Sequence, residues 1–168
     1  HNGAVAVALP LPQIVVDGDL ADWPERTRYQ VSRAEYGDRP QGEADLNAFF
    51  RVGFTTSPAA LYLALEVEDE SVIIDDSPDR DWNTEDGCEI YLDLGHADGI
   101  ASQFALRGEG TPQQQAQGKA PDRVAWSRTA GRHVYEWRFD LSGIDLSTLS
   151  GRSLALDVVV SDRVEDAS

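Results

Sequence analysis

The sequence predicts an all-β fold, an antiparallel β-sandwich with jelly-roll-like connections. Three observations lead there. Apolar residues recur at period two in segment after segment, the spacing of a strand with one buried face. No segment carries the long i, i+3, i+4 stripe of an amphipathic helix. Clusters rich in Gly, Pro, Asp and Ser separate the alternating segments at short intervals, which is the punctuation of a sandwich.

Taken in order, "IVVDG" at 14–18 reads as a short strand running into a turn. In "AFFRVGFT", Phe50, Val52 and Phe54 share a face, and "SPAA" turns the chain. "LYLALEVED" alternates most cleanly, with Leu61, Leu63, Leu65 and Val67 on one side and Tyr62, Ala64, Glu66 and Glu68 on the other. These two segments predict an antiparallel hairpin. "CEIYLDL" points Cys88, Ile90, Leu92 and Leu94 to the core and Glu89, Tyr91 and Asp93 away from it, and "SQFALR" follows after the turn "GHADG". The glutamine-rich stretch 108–122 is too polar to pack and is expected to be a mobile loop. "VAWSR", "HVYEWRFDL" and "SLALDVVV" complete the strands, and 139–151 has room for one or two helical turns between a Ser142 cap and a Gly151 stop.

The 168 residues suit one domain, 1–168, with no internal repeat or dividing linker. The lone Cys88 has no partner for an internal disulfide. The absence of methionine, together with a start at His1, suggests a mature or excised segment of a longer product. No stretch reaches membrane-spanning length. Thirty acidic against fourteen basic residues give a formal charge of -16, which repels phosphate backbones and anionic lipid and leaves cations or neutral ligands as partners. A purely solvated acidic surface would look the same.

Two acidic stretches stand out. "DGDLADWPE" gathers Asp17, Asp19 and Asp22 around Gly18. These hard oxygen donors suit calcium, yet the spacing is not that of an EF-hand, and the same residues serve equally as turn formers that bond local amides. The stretch 75–89 adds Asp75, Asp76, Asp79, Asp81, Glu85, Asp86 and Glu89 around Trp82. An indole in so polar a loop suits the apolar face of a sugar ring, or a lid on the sandwich edge. Glu89, Gln103 and Arg107 face away from their apolar neighbours, so they could hydrogen-bond ligand hydroxyls or form a surface ion pair. Trp23 and Trp137 read as packing residues. Enzyme signatures are lacking: no His pair has metal-ligand spacing, no nucleophile motif occurs, and Asp86 with Glu89 is weak support for a glycosidase pair.

The ordered series "IVVDGDLADW", "LYLALEVEDE", "DWNTEDGCEIYLDL", "SQFALR", "HVYEWRFDL" and "SLALDVVVSD" resembles the family 9 carbohydrate-binding modules and their relatives, from about Ile14 to Asp162. The resemblance implies a β-sandwich that binds sugar ends between two tryptophans, with calcium nearby. Trp82 matches the tryptophan before the family's D-x-x-E stretch, with one extra residue between it and Glu89. Asp86 and Glu89 match that stretch, Arg107 resembles a sugar-contacting arginine, and Asp17, Asp19 and Asp162 resemble calcium donors. No residue of this sequence matches the second stacking tryptophan.

The expected function is therefore non-catalytic, calcium-assisted recognition of an oligo- or polysaccharide in the periplasm or cell exterior, with any membrane tether lying outside this segment. The alternative is the extracytoplasmic sensor or protein-interaction domain of a membrane-bound signalling receptor such as a histidine kinase, with an envelope protein or another polar ligand as partner.

Overall fold

The computed structural model describes residues 6–31, 45–69, 71, 73–79, 81, 84–94, 102–107, 111–114, 120–144 and 154–163, with the backbone alone at 107 and 111–114. Two sheets pack face to face. A six-stranded sheet contains β1 (Leu9–Pro10), β2 (Arg28–Val31), β3 (Leu46–Thr56), β4 (Ala59–Asp69), β8 (Arg123–Thr129) and β9 (Arg132–Asp140). Its order is β1-β3-β4-β9-β8, with β2 beside the other half of β3. The four-stranded sheet runs β10 (Ala155–Ser161), β5 (Gly87–Asp93), β6 (Ser102–Arg107), β7 (Thr111–Gln114).

The period-two residues meet between the sheets. Val52, Leu61, Leu63, Leu65 and Val67 from β3 and β4 join Tyr135, Trp137 and Phe139 of β9 against Cys88, Ile90, Leu92, Phe104 and Leu106 of the smaller sheet. The expected hairpin is β3–β4, paired without interruption from Leu46↔Asp69 to Thr56↔Ala59.

Three expectations need correction. First, "IVVDG" is not a strand. Residues 11–24 instead form a strap across the outer face of the six-stranded sheet, where Ile14, Leu20 and Trp23 cover Ala60, Tyr62, Ala64 and Val134 in a second apolar core. The strap gives up ladder pairing because its turn amides are satisfied by side chains, and Gly53 leaves it room: a Cβ there would lie 2.4 Å from Leu11 Cγ. Second, part of the glutamine-rich stretch is a strand. Thr111–Gln114 pairs with Phe104–Arg107 through the backbone, and Pro112 is tolerated because β7 ends the sheet order. Third, the pairing is not wholly antiparallel, since β1 lies parallel to β3. Of the helical turns expected in 139–151, the turn at Ser142–Ile144 is seen, closed by Ile144 N–H to Leu141 O at 2.9 Å, and residues 145–151 lie outside the described residues. Glu25–Thr27 adds one 3-10 turn after the strap.

Candidate ligand face and acidic cluster

The outer face of the four-stranded sheet carries the polar residues that alternate with the core. Register places Tyr91 opposite Gln103, Glu89 opposite Ala105 and Gly87 opposite Arg107. Glu89 and Arg107 are thus diagonal neighbours rather than a facing pair. Glu89, Tyr91 and Gln103 form a closed set. The Tyr91 hydroxyl donates to Glu89 Oε2 at 2.6 Å, and Gln103 Nε2 donates to the same oxygen at 2.6 Å and to the Tyr91 hydroxyl at 2.9 Å. Burial, and then the Glu89 carboxylate, push the Tyr91 phenol up to about 12, so it remains a donor at neutral pH. Both bonds fall on one carboxylate oxygen. Among the described residues no donor occupies Glu89 Oε1, which leaves a fixed acceptor on the open face of the sheet. Trp82 and the Arg107 side chain lie outside the described residues.

At one end of the sandwich, Asp69, Asp86 and Asp162 each present a carboxylate oxygen, all within 4.8 Å of one another. Asp69 ends β4, Asp86 precedes β5 and Asp162 follows β10. Asp69 and Asp86 are buried. Asp86 Oδ2 accepts the Ile73 amide at 2.7 Å and Oδ1 the Arg163 amide at 2.8 Å. Even so its carboxyl is held above the usual range, chiefly by burial, with neighbouring Glu85 adding to the effect. Three carboxylates supply between three and six hard oxygens, a donor set that could coordinate a cation.

The acids of "DGDLADWPE" lie elsewhere, on the strap. Asp17 Oδ1 accepts the Asp19 amide at 3.0 Å, Asp19 Oδ1 the Ala21 amide at 3.0 Å, and Asp22 Oδ2 the Val15 amide at 2.7 Å. Those of Asp17 and Asp19 are the contacts of turn formers, while Asp22 ties the strap back across seven residues. Among the described residues Asp162 thus clusters with Asp69 and Asp86, and not with Asp17 and Asp19, with which the family resemblance groups it. Trp23 and Trp137 are buried, as expected, while Trp126 is 38% exposed on β8.

The profile of the "Carbohydrate family 9 binding domain-like" family matches residues 16–168. The chain belongs to that family. Two solved structures of a family 9 carbohydrate-binding module from Caldicellulosiruptor kristjanssonii share its fold. The one in complex with cellotriose has a TM-score of 0.69 at 16% identity, covering 95% of this chain and 77% of that one. The one in complex with glucose has a TM-score of 0.64 at 15% identity, covering 95% and 79%. No curated protein matches the chain.

Within this family 9 fold, sequence reasoning missed Tyr91, Asp69 and the role of Asp86. Tyr91 shares the alternation of Glu89, and that period-two spacing was the available signal. Asp69 closes a perfectly alternating strand, so its part in a cluster depends on which strand ends meet in space, and no spacing along the chain encodes that.

Proposed function

We propose that this chain recognises carbohydrate without catalysis, on the outer face of its four-stranded sheet. The observation that carries the reading is the Glu89–Tyr91–Gln103 network, which fixes an acceptor and an amide in place before any ligand arrives. Sugar hydroxyls both donate and accept, so Glu89 and the Gln103 amide oxygen accept hydrogen bonds from them, the two Gln103 Nε2 hydrogens being held by Glu89 and Tyr91, while Arg107 offers N–H groups. Trp82 stacks on the sugar ring. Calcium at Asp69, Asp86 and Asp162 fixes the loop that carries Trp82, because that loop begins and ends on Asp86: Ile73 N–H meets Asp86 Oδ2, and Asp86 N–H returns to Ile73 O at 2.9 Å. The working compartment is the periplasm or cell exterior. A sensor or protein-docking role for the same face is the second reading, since a fixed hydrogen-bonding network can also meet polar groups of a protein partner.

The test is a glycan array probed in calcium with the wild type, Trp82→Ala and Glu89→Gln. Selective binding lost in both variants at unchanged melting temperature supports the reading. A blank array with a folded wild type sinks it in favour of the docking role.

A further inference from the structure

On the opposite face of the sandwich, three arginines converge where the strap meets the six-stranded sheet. Arg28, Arg51 and Arg132 come from β2, β3 and β9 and surround Glu66 of β4. Arg132 Nε lies 2.8 Å from Glu66 Oε1, Arg28 Nε 3.5 Å from Oε2 and Arg51 Nη2 3.9 Å from Oε2. Arg51 also donates from Nη2 to Glu25 Oε1 at 3.1 Å and from Nη1 to Pro24 O at 3.3 Å. The three cations and Glu66, Glu25 and Asp19 line a cavity of about 340 Å³.

The site is short of acceptors. Among the described residues, Glu66, Glu25 and the Pro24 carbonyl are the only acceptors that meet these three guanidinium groups. The Arg51 side chain is only 5% exposed and its buried Nε–H meets no acceptor among the described residues, while Arg28 and Arg132, 32% and 41% exposed, are within reach of a ligand. A buried cationic donor without a partner is costly, and a planar fork of this kind matches a carboxylate better than any other small group. That surplus is one of donors, the three arginines being balanced in charge by Asp19, Glu25 and Glu66, and it stands out in a chain whose overall charge is -16.

We propose that this cavity binds a carboxylate carried on a sugar, a uronate residue, as a second saccharide site. Arg132 and Arg28, the partly exposed members, meet the carboxylate, and the buried Arg51 adds its charge from behind. Glu25, 82% exposed, and Asp19 also line the cavity, where they can accept hydrogen bonds from hydroxyls of the same ring. A neutral sugar lacks the anion, and the ring it would stack on is taken: the Arg28 guanidinium sits 3.3 Å from the Phe49 ring centroid. The choice of sugar as carrier rests on the proposed carbohydrate recognition, whereas carboxylate binding stands without it.

Calorimetric titration of the whole chain with D-glucuronate, D-glucose, acetate and a glutamate-rich peptide tests this, using the wild type, Arg132→Gln, Arg28→Gln and Glu89→Gln. Glucuronate is expected to bind more tightly than glucose or acetate, to weaken about tenfold or more in either arginine variant, and to be untouched by Glu89→Gln. Arg132 and Arg28 are each partly exposed, so one variant serves if the other melts early. Glucuronate binding to Glu89→Gln no tighter than glucose binding to the same variant, or glucuronate binding lost in Glu89→Gln with both arginine variants intact, overturns the site. Peptide binding tighter than glucuronate and lost in Arg132→Gln overturns the sugar assignment. Loss of glucose binding alone in Glu89→Gln bears only on the other face.

Discussion

The indole N–H of Trp23 donates to Glu136 Oε1 at 2.8 Å, across 113 residues of sequence, while Oε2 of the same carboxylate accepts the amides of Asp17 and Gly18 at 3.0 and 2.6 Å. This carboxylate is how the strap is fastened to the sheet. Glu136 is fully buried, and burial holds its carboxyl above the usual range although three donors pull it down. Glu136→Ala would leave the three donors without an acceptor, so we expect a loss of about 3 kcal/mol or more in urea unfolding. Trp23→Phe removes one of the bonds and should cost about 1 to 2 kcal/mol. A Glu136→Ala variant within 0.5 kcal/mol of the wild type, a threshold of about the size of a neutral surface change, would mean that the strap is held by apolar contact alone.

Gly18 is the position in the strap that tolerates no side chain. Its φ is +86°, and a Cβ would stand 2.8 Å from the Trp126 carbonyl carbon. Neighbouring backbone is also engaged, since Ser127 Oγ donates to Gly18 O at 2.6 Å. Gly18→Ala combines left-handed strain with a backbone clash, and the expected loss is about 2 kcal/mol or more. Thermal melting of the variant beside Gly143→Ala, where a Cβ meets nothing within 4 Å, separates this effect from general glycine loss.

His133 sets a pH dependence. Burial first, and then the Arg128 charge, lower its imidazole to about 4 from an ordinary 6.5. The unfolded chain therefore takes up the proton first as pH falls. The contribution of His133 to stability is present above pH 6.5 and is lost between 6.5 and about 4, by at most about 3 kcal/mol. Glu136 and Asp86 have raised folded values and act with the opposite sign, favouring the fold as pH falls. The difference between wild type and His133→Gln isolates the histidine: it should shrink steadily from pH 7 to pH 4 in urea unfolding. A constant difference would place the titrating group elsewhere.

Much of this was legible in the sequence because alternation is a local property. The core residues of β3, β4, β5 and β9 follow from period two, and so does the outward face shared by Glu89 and Gln103. What lay beyond reach was non-local. The strap "IVVDG" has the composition of a strand, and only the outward Ala60, Tyr62, Ala64 and Val134 reveal that an apolar patch awaits it. Alternation alone places Tyr62 and Ala64 away from the main core and says nothing of what covers them. Polar Thr111–Gln114 forms a strand because β6 offers an unpaired edge, a reason that its own side chains do not carry.

Removing the cation is the sharpest way to decide which acidic group matters. A ligand that binds only the folded state raises stability by RT ln(1 + [L]/Kd), about 2.7 kcal/mol at a hundredfold excess over Kd. Calcium at Asp69, Asp86 and Asp162 should therefore raise the melting temperature by several degrees, and chelation should reverse it. The increment should vanish in Asp162→Asn and Asp86→Asn, and persist in Asp17→Asn and Asp19→Asn, whose oxygens serve turn amides. Because the loop from Ile73 to Asp86 is tied to Asp86 at both ends, chelation should also weaken sugar binding through Trp82, even at a temperature where the chain stays folded. An increment abolished by Asp19→Asn and kept by Asp162→Asn would move the ion to the strap and cut that link between cation and ligand face.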